Sequence, residues 1–363
     1  MSSIATVDVD VLVNATEIAA DAVVGFVVDH DLNQPSMCVV TLRNSSHGYN
    51  DKFKLGMPVE AKVADIPRGP TAGSAKTTVF KGELVGLEPT YTSAGTSLLT
   101  LRAHDRLHRL RRGRESRTFQ SMSDQDIVNA VAQEHGLSVV AGSIPTIRHA
   151  HVYQHNQTDL EFLRERGKAI GFEIWCEDTK LFFDAPKLDA DSGLEFVLGE
   201  PGVPGAPTLT TFAARMSNAE VVRRVSVHGW NAEKTQEFVG EARAGISSPL
   251  GSSPGAATLG DFPQIDSFLV DYPIFSAEEA RAIAKARLAE LAMSFLTADA
   301  EAPGHPLLKP GIVVKIVVNV QNMNDRFNGK YLVRGCTHRI DAGSAAPAAY
   351  TVAMRLARDA ASG

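Results

Sequence analysis

The stretch that decides the fold class is residues 7–13, which read VDVDVLV. The valines occupy every second position and share one face, whereas Asp8 and Asp10 lie on the other. Alternation of this kind is typical of a half-buried β-strand. Such strands at short spacing, with no helix between them, predict an antiparallel barrel or sandwich. Further strand candidates in the first hundred residues lie at 23–28, 37–42, 59–63, 78–87 and 97–103.

The composition is that of an ordinary globular chain. Its 363 residues, of which 44% are hydrophobic and 21% charged, indicate two or three domains. The 29 glycines and 18 prolines favour a turn-rich β protein over a helical bundle. The net charge of −6 gives no general attraction to nucleic acid or anionic membranes. For that reason we expect no specific nucleic-acid partner. Because no signal peptide or membrane-spanning run is visible, we also expect synthesis and assembly in the cytoplasm and no direct membrane insertion.

The hydrophobic period changes to that of a helix in residues 118–200. Ser123 with Asp126, and Thr158 with Glu161, are capping boxes that predict two helix starts. A hairpin follows, with strands at 172–175 and 181–183. Because two helices are too few to form a bundle, we expect them to pack on this hairpin as an α+β insert.

Strand patterns return in residues 201–363. Residues 240–260 are nearly all small residues, glycine and proline, and predict a long loop or linker that builds no core. Ser276 with Glu279 starts the longest predicted helix, residues 277–295. The predicted fold class is therefore β-rich α+β. Its parts are a first β domain at 1–117, the insert at 118–200, and a second β domain at 201–363 that includes the loop and the long helix.

Three segments, taken in their order and spacing, carry a resemblance to a known family. The first begins FKGELV at 80–85, and the third joins LKPG at 308–311 to GKYLV at 329–333. The most specific one is YQ at 153–154 followed by TDLEFL at 158–163. Together they resemble the phage late control protein D and VgrG family, the baseplate hubs of contractile tails and injection systems.

The resemblance implies a structural role without enzymatic activity. Hubs of that family are homotrimers in which each subunit presents two antiparallel tube-like β-barrels, so that the ring matches a hexameric tail tube on one side. The other side carries a trimeric spike, and further baseplate proteins surround the hub. VgrG proteins continue into a β-helical spike. This chain ends at Gly363 without β-helix repeats, so we expect the spike to be a separate protein.

The arginine-rich segment 106–117, RLHRLRRGRESR, is the candidate interaction site. Arginine is favoured at protein interfaces, and the chain as a whole is acidic, so an interface between subunits or with a partner is preferred over nucleic-acid binding. A plain solvated surface is the other alternative. The interface candidates are Arg106, Arg109, Arg111, Arg112 and Arg114.

The histidines at 149, 151 and 155 are the nearest approach to a metal site. In a strand, His149 and His151 would share a face and could bind zinc, but the spacing lacks an HExxH motif. No nucleophile elbow, phosphate-binding loop or dinucleotide fingerprint is present, so we expect no catalytic residue, no metal and no cofactor. Two alternatives stay open: a tail-associated hydrolase or zinc enzyme, and a tail tube-like protein.

Overall fold

The computed structural model describes residues 8–361 except for residues 46, 65–75, 94, 96, 200–207, 232–234, 261–265, 271–273, 275 and 343–348. Strands predominate in these residues, and three α-helices accompany them. None of the described helices is long and apolar enough to cross a membrane. Val7, the first valine of the alternating stretch, lies outside the described residues.

The first seven strands follow the predicted alternation closely. They are β1 Val9–Val13, β2 Thr16–Glu17, β3 Val23–Asp31, β4 Met37–Arg43, β5 Pro58–Ala64, β6 Lys76–Tyr91 and β7 Ser97–His104. They pair in the order β3-β4-β7-β6-β5-β1-β2, and every pair is antiparallel. Along β7, buried side chains such as Leu99 and Leu101 alternate with half-buried ones. One core therefore lies on one side of this run of strands.

The insert combines two short sheets with two helices. Its elements are β8 Glu115–Ser123, α1 Asp124–Glu134, β9 Ser138–Ala141, β10 Arg148–Gln157, α2 Asp159–Ile170, β11 Glu173–Glu177 and β12 Lys180–Asp184. Both predicted capping boxes are present, and α2 ends at Gly171 in a left-handed conformation with φ 75°. Ile127, Leu163 and Phe183 are fully buried in one core shared by the helices and the hairpin. The prediction that the helices pack on the hairpin is confirmed.

The remaining strands build the other half of the main sheet and two smaller sheets. They are β13 Asp191–Leu198, β14 Thr208–Leu209, β15 Thr211–Met216, β16 Arg224–Asn231, β17 Gln236–Arg243, β18 Ser253–Pro254, β19 Asp266–Leu269, β20 Leu296–Pro303, β21 Val313–Val317, β22 Gly329–Asp341, β23 Ala349–Arg358 and β24 Ala360–Ala361. Pairings run β13-β21-β22-β23-β20-β15, and β14, one residue before β15, pairs with β13. This circuit of strands surrounds a second core.

The two runs of strands are one continuous sheet of 14 strands, because the long strand β22 pairs with β3 as well as with β21 and β23. The sheet is also mixed, since β13 is parallel to both β14 and β21. The expectation of purely antiparallel strands is therefore corrected. The protein is β-rich with few helices, as predicted, but hydrogen bonding does not separate its strands into two independent sheets.

The predicted linker at 240–260 is wrong for the described chain. Residues 240–243 belong to β17, which pairs with β16, and β18 pairs with the C-terminal β24. A side chain at Gly240 would place its Cβ 2.2 Å from the Ala280 carbonyl carbon in helix α3, Ala277–Ala292. The small residues here allow close packing of helix on strand. Helix α3 itself ends three residues before the predicted Phe295, whose ring is buried in the second core.

Candidate interface site

The arginine-rich segment begins as a 3-10 turn, Arg106–Arg111, directly after β7. The Asp105 carboxylate caps this turn by accepting hydrogen bonds from the backbone N–H of Leu107 at 3.0 Å and of Ser36 at 2.9 Å. Burial raises the pKa of Asp105 to about 7, against the opposite effect of these hydrogen bonds. Leu107 and Leu110 are fully buried in the insert core. The cap and the two leucines therefore fix the turn in place.

Two of the predicted interface arginines, Arg106 and Arg109, lie in an internal joint. Glu83 on β6 accepts a hydrogen bond from Arg106 Nε at 3.2 Å and from Arg109 Nε at 3.0 Å. Arg106 also donates to Asp178 at 2.6 Å, and Arg109 donates to the His135 carbonyl at 3.0 Å. Burial raises the pKa of Glu83, but the two guanidinium groups outweigh it and hold that pKa below its ordinary value. These arginines tie the first run of strands to the insert.

The other three candidates, Arg111, Arg112 and Arg114, are exposed. Arg112 Nη2 lies 3.3 Å from His108 Nε2. Arg114 Nη2 donates to Glu161 at 3.1 Å, in the first turn of α2. All three keep guanidinium groups at the surface, so this edge of the turn, Arg111 to Arg114, is the part of the predicted site that a partner can reach. We call these three residues the arginine edge.

The histidines of β10 do not converge. His149 is only 4% exposed, with Nε2 at 3.1 Å from Asp124 Oδ2 and Nδ1 at 3.4 Å from Glu279 Oε1. Arg166 donates to the same Asp124 at 2.7 Å. His151 lies two positions along the same strand, as predicted for a shared face, but it is exposed whereas His149 is buried. In the described part of the chain, no group of three or more His, Cys, Asp or Glu side chains is arranged to hold a metal ion.

This buried cluster connects the insert to α3. The hydrogen bonds to Asp124 and Glu279 raise the pKa of His149 to about 9, against the opposing effects of burial and of Arg166. His149 is therefore positively charged at neutral pH. Both ring nitrogens lie against carboxylates, and Arg166 Nη2 lies 2.7 Å from Nε2, so the imidazole belongs to a structural ion cluster.

A cleft of about 480 Å³ opens where the first strands, the insert and the loop before β21 meet. Across it, Lys309 Nζ donates to Glu177 at 2.7 Å. His30 on its wall bonds Ser36 and the Val79 carbonyl, each at 2.9 Å. Burial raises the pKa of the Cys176 thiol, which disfavours the nucleophilic thiolate. These groups hold the parts of the fold together and do not form a recognisable catalytic set.

Sequence reasoning missed a second exposed surface, on the sheet that covers α3. The strands of this sheet lie in the order β17-β16-β19. Val225 and Val227 of β16 face α3 and are fully buried. Trp230 lies on the opposite face and is 61% exposed, and Phe268 of β19 is 63% exposed. The alternation of β16 contains the signal, because it places Trp230 on the face away from the two valines. We call this surface, with His228 and Val239, the aromatic face.

The fold as a whole is that of phage tail proteins. The chain is similar to the 43 kDa tail protein of prophage MuSo2 from Shewanella oneidensis, at 11% identity over 98% of this chain and 100% of that one, with a TM-score of 0.68. It is similar to a tail protein from Neisseria meningitidis at 13% identity over 98% and 97% of the two chains, TM-score 0.69. A component of the type VI secretion system of E. coli matches at 12% identity over 95% of this chain and 76% of its own, TM-score 0.60.

The amino-acid sequence itself matches one protein family. Residues 3–342 match the family described as the Alg8 N-terminal domain, and the chain belongs to that family. No curated protein matches the chain. The predicted resemblance to baseplate hubs agrees with these tail and type VI secretion neighbours at the level of the fold, while membership of the late control protein D and VgrG family itself stays a prediction.

Proposed function

We propose that this protein is a structural baseplate hub of a contractile injection system or phage tail. It acts as a homotrimeric adaptor that joins a hexameric tail tube to a separate trimeric spike within the baseplate. The observation that carries the proposal is the extent of the structural match: it runs through 98% of the chain and the full length of a prophage tail protein. A match of that extent includes the insert and both runs of strands, so it does not rest on one common module.

The strand pairings support the symmetry that the proposal requires. Each chain holds two runs of strands with separate cores, joined by the β22–β3 pair. We take these as the two tube-like barrels, in domains 1–117 and 201–363, with the insert at 118–200 between them. Three copies would then offer six similar units to a sixfold tube, and repeated head-to-tail contacts would close the ring.

The geometry of the arginine-rich turn supports the arginine edge as the interface. Arg106 and Arg109 serve the internal joint with Glu83, so the intersubunit or partner contact belongs to the arginine edge. Planar guanidinium groups suit protein interfaces because they bind carboxylates in pairs of hydrogen bonds and stack on aromatic rings.

The test is the mass of the assembly in solution. Native mass spectrometry of the full chain, alone and mixed with candidate tube and spike proteins encoded with it, should show roughly three copies of the 38.9 kDa subunit and their joint complex. A chain that stays monomeric and joins neither protein would overturn the proposal. A hexamer that stacks into tubes without a spike would favour the tail tube-like alternative.

Charge reversal separates the possible roles of the arginine edge. Arg111→Glu with Arg112→Glu should weaken assembly, whereas Arg326→Glu, an exposed arginine elsewhere on the surface, should not. Unchanged assembly together with lost retention of DNA would transfer this site to nucleic-acid binding.

A further inference from the structure

The aromatic face is a sheet surface that carries several large, exposed apolar side chains. Trp230 and Phe268 are each more than 60% exposed, and Val239 is 38% exposed. His228 lies on the same face, with its ring 5.8 Å from that of Phe268 and its Nδ1 bonded to Glu237 at 2.6 Å. Exposed aromatic side chains of this size on one sheet face mark interaction surfaces more often than plain solvated ones.

Charge is distributed unevenly over this face. Glu237 stands opposite Trp230 in the β16–β17 pair and is 55% exposed. At the far end of the same pair, Glu241 lies 3.4 Å from Arg224 and 3.6 Å from Arg243, so that end is balanced internally. The Trp230 end therefore combines one ring face with a carboxylate, which is the chemistry that binds a guanidinium group, whereas Phe268 stands beside Ser226, four positions along β16 from Trp230.

The arginine edge offers the complementary chemistry, and it lies on the other side of a layered stack. Arg114 bonds Glu161 at the start of α2, and Lys168 of α2 lies 3.3 Å from Glu290 of α3. Helix α3 in turn packs against β17 at Gly240. The order is thus arginine turn, α2, α3 and sheet, with the aromatic face outermost. One copy cannot bring its own two ends together, whereas two copies can.

We infer that the aromatic face binds the arginine edge of a second copy of this chain, head to tail. The guanidinium group of one of the two residues Arg111 and Arg112 stacks on Trp230, where Glu237 accepts its hydrogen bonds, and that of the other stacks on Phe268. A contact between two different patches of the same chain is heterologous, and it forms a closed ring when its rotation divides the circle evenly. The inference deepens the proposed function by naming both sides of the subunit contact, and it rests on that function for the trimeric state.

A complementation experiment tests the contact. The first variant carries Arg111→Glu and Arg112→Glu, and the second carries Trp230→Ala and Phe268→Ala. Each variant alone should lose self-association, with a dissociation constant weakened more than about tenfold. Mixed in equal amounts, they should form a dimer that contains one copy of each, because the intact aromatic face of the first meets the intact arginine edge of the second. That dimer cannot close into a ring.

Two variants serve as controls. Arg326→Glu and Met323→Ala, both at exposed positions of another loop, should assemble as the unmodified chain does. Circular dichroism and thermal unfolding verify that each variant is folded. If the unmodified chain assembles only in the presence of the spike protein, the spike protein is added to every sample.

The two proposals fail separately. Full assembly of either double variant alone, or the absence of a mixed dimer from folded variants, overturns the head-to-tail contact and leaves the hub proposal intact. Self-association that follows the predicted pattern, in a chain that joins neither tube nor spike, overturns the hub and leaves the contact. A chain that is monomeric under every condition overturns both.

Discussion

His149 should contribute a pH-dependent part of the stability that holds the insert to α3. Its pKa is about 9 in the folded protein, because Asp124 and Glu279 accept hydrogen bonds from its ring in a buried cluster, compared with about 6.5 for an unfolded histidine. Protonated His149 therefore favours folding. That contribution is fully present below pH 6.5 and is lost as the pH rises through 9. The difference between the two pKa values corresponds to roughly 3 kcal/mol.

The perturbation is His149→Gln, which keeps a hydrogen-bonding side chain but has no titrating group. The variant should have a lower free energy of unfolding than the unmodified chain. This loss should be larger at pH 6 than at pH 9.5, by up to about 3 kcal/mol. Titrating groups that do not contact His149 are common to the two proteins and cancel in this comparison.

Urea unfolding followed by tryptophan fluorescence measures the effect. Trp175 lies in the insert hairpin, stacked on Phe182, and the chain has only one other tryptophan. In a Trp230→Phe background the signal therefore reports the insert. His151→Gln is the matched control, since His151 is exposed in the same strand and should change neither value. A gap between His149→Gln and the parent that is constant from pH 6 to 9.5, or that widens with pH, would refute the reasoning.

Three further outcomes are expected. Gly240→Ala should lower the free energy of unfolding by roughly 1–3 kcal/mol, because the new Cβ collides with α3, while Gly86→Ala, with its nearest atom at 3.4 Å, should be nearly neutral in a thermal melt. Glu83→Gln should cost about 2 kcal/mol in urea unfolding at pH 7, since it leaves two half-buried arginines without their carboxylate, and this cost should shrink as acid neutralises Glu83 in the parent. The three cysteines are buried with raised pKa values, so an alkylating reagent at pH 8 should modify them only in denaturant, as counted by intact mass. Rapid labelling of the native chain would contradict their burial.

Signals that act over a few residues were predictable from the sequence. The strands of the first half and the capping boxes at Ser123 and Thr158 appear where expected. Each depends on neighbours within one strand or one helical turn, so a short window contains the whole cause.

Long-range contacts were not predictable in the same way. The small residues of 240–260 look like a linker by composition, yet Gly240 is small because a helix that begins 37 residues later packs against it. Likewise, Arg109 and Arg111 are equivalent as sequence letters. Only the position of Glu83, on a strand 26 residues earlier, makes one an internal joint and leaves the other at the surface.

The sequence by itself determined the β-rich class, the α+β insert and the arginine-rich segment, because alternation, caps and charge clusters are local properties of a chain. The tertiary structure alone decided that both halves share one sheet, through a β22–β3 pair joining residues some 300 positions apart, and which arginines face outward. It also exposed Trp230 and Phe268 together on one face. Such features depend on which distant segments pack together. That packing is stabilised by contacts spread over the whole core, so no single sequence motif predicts it.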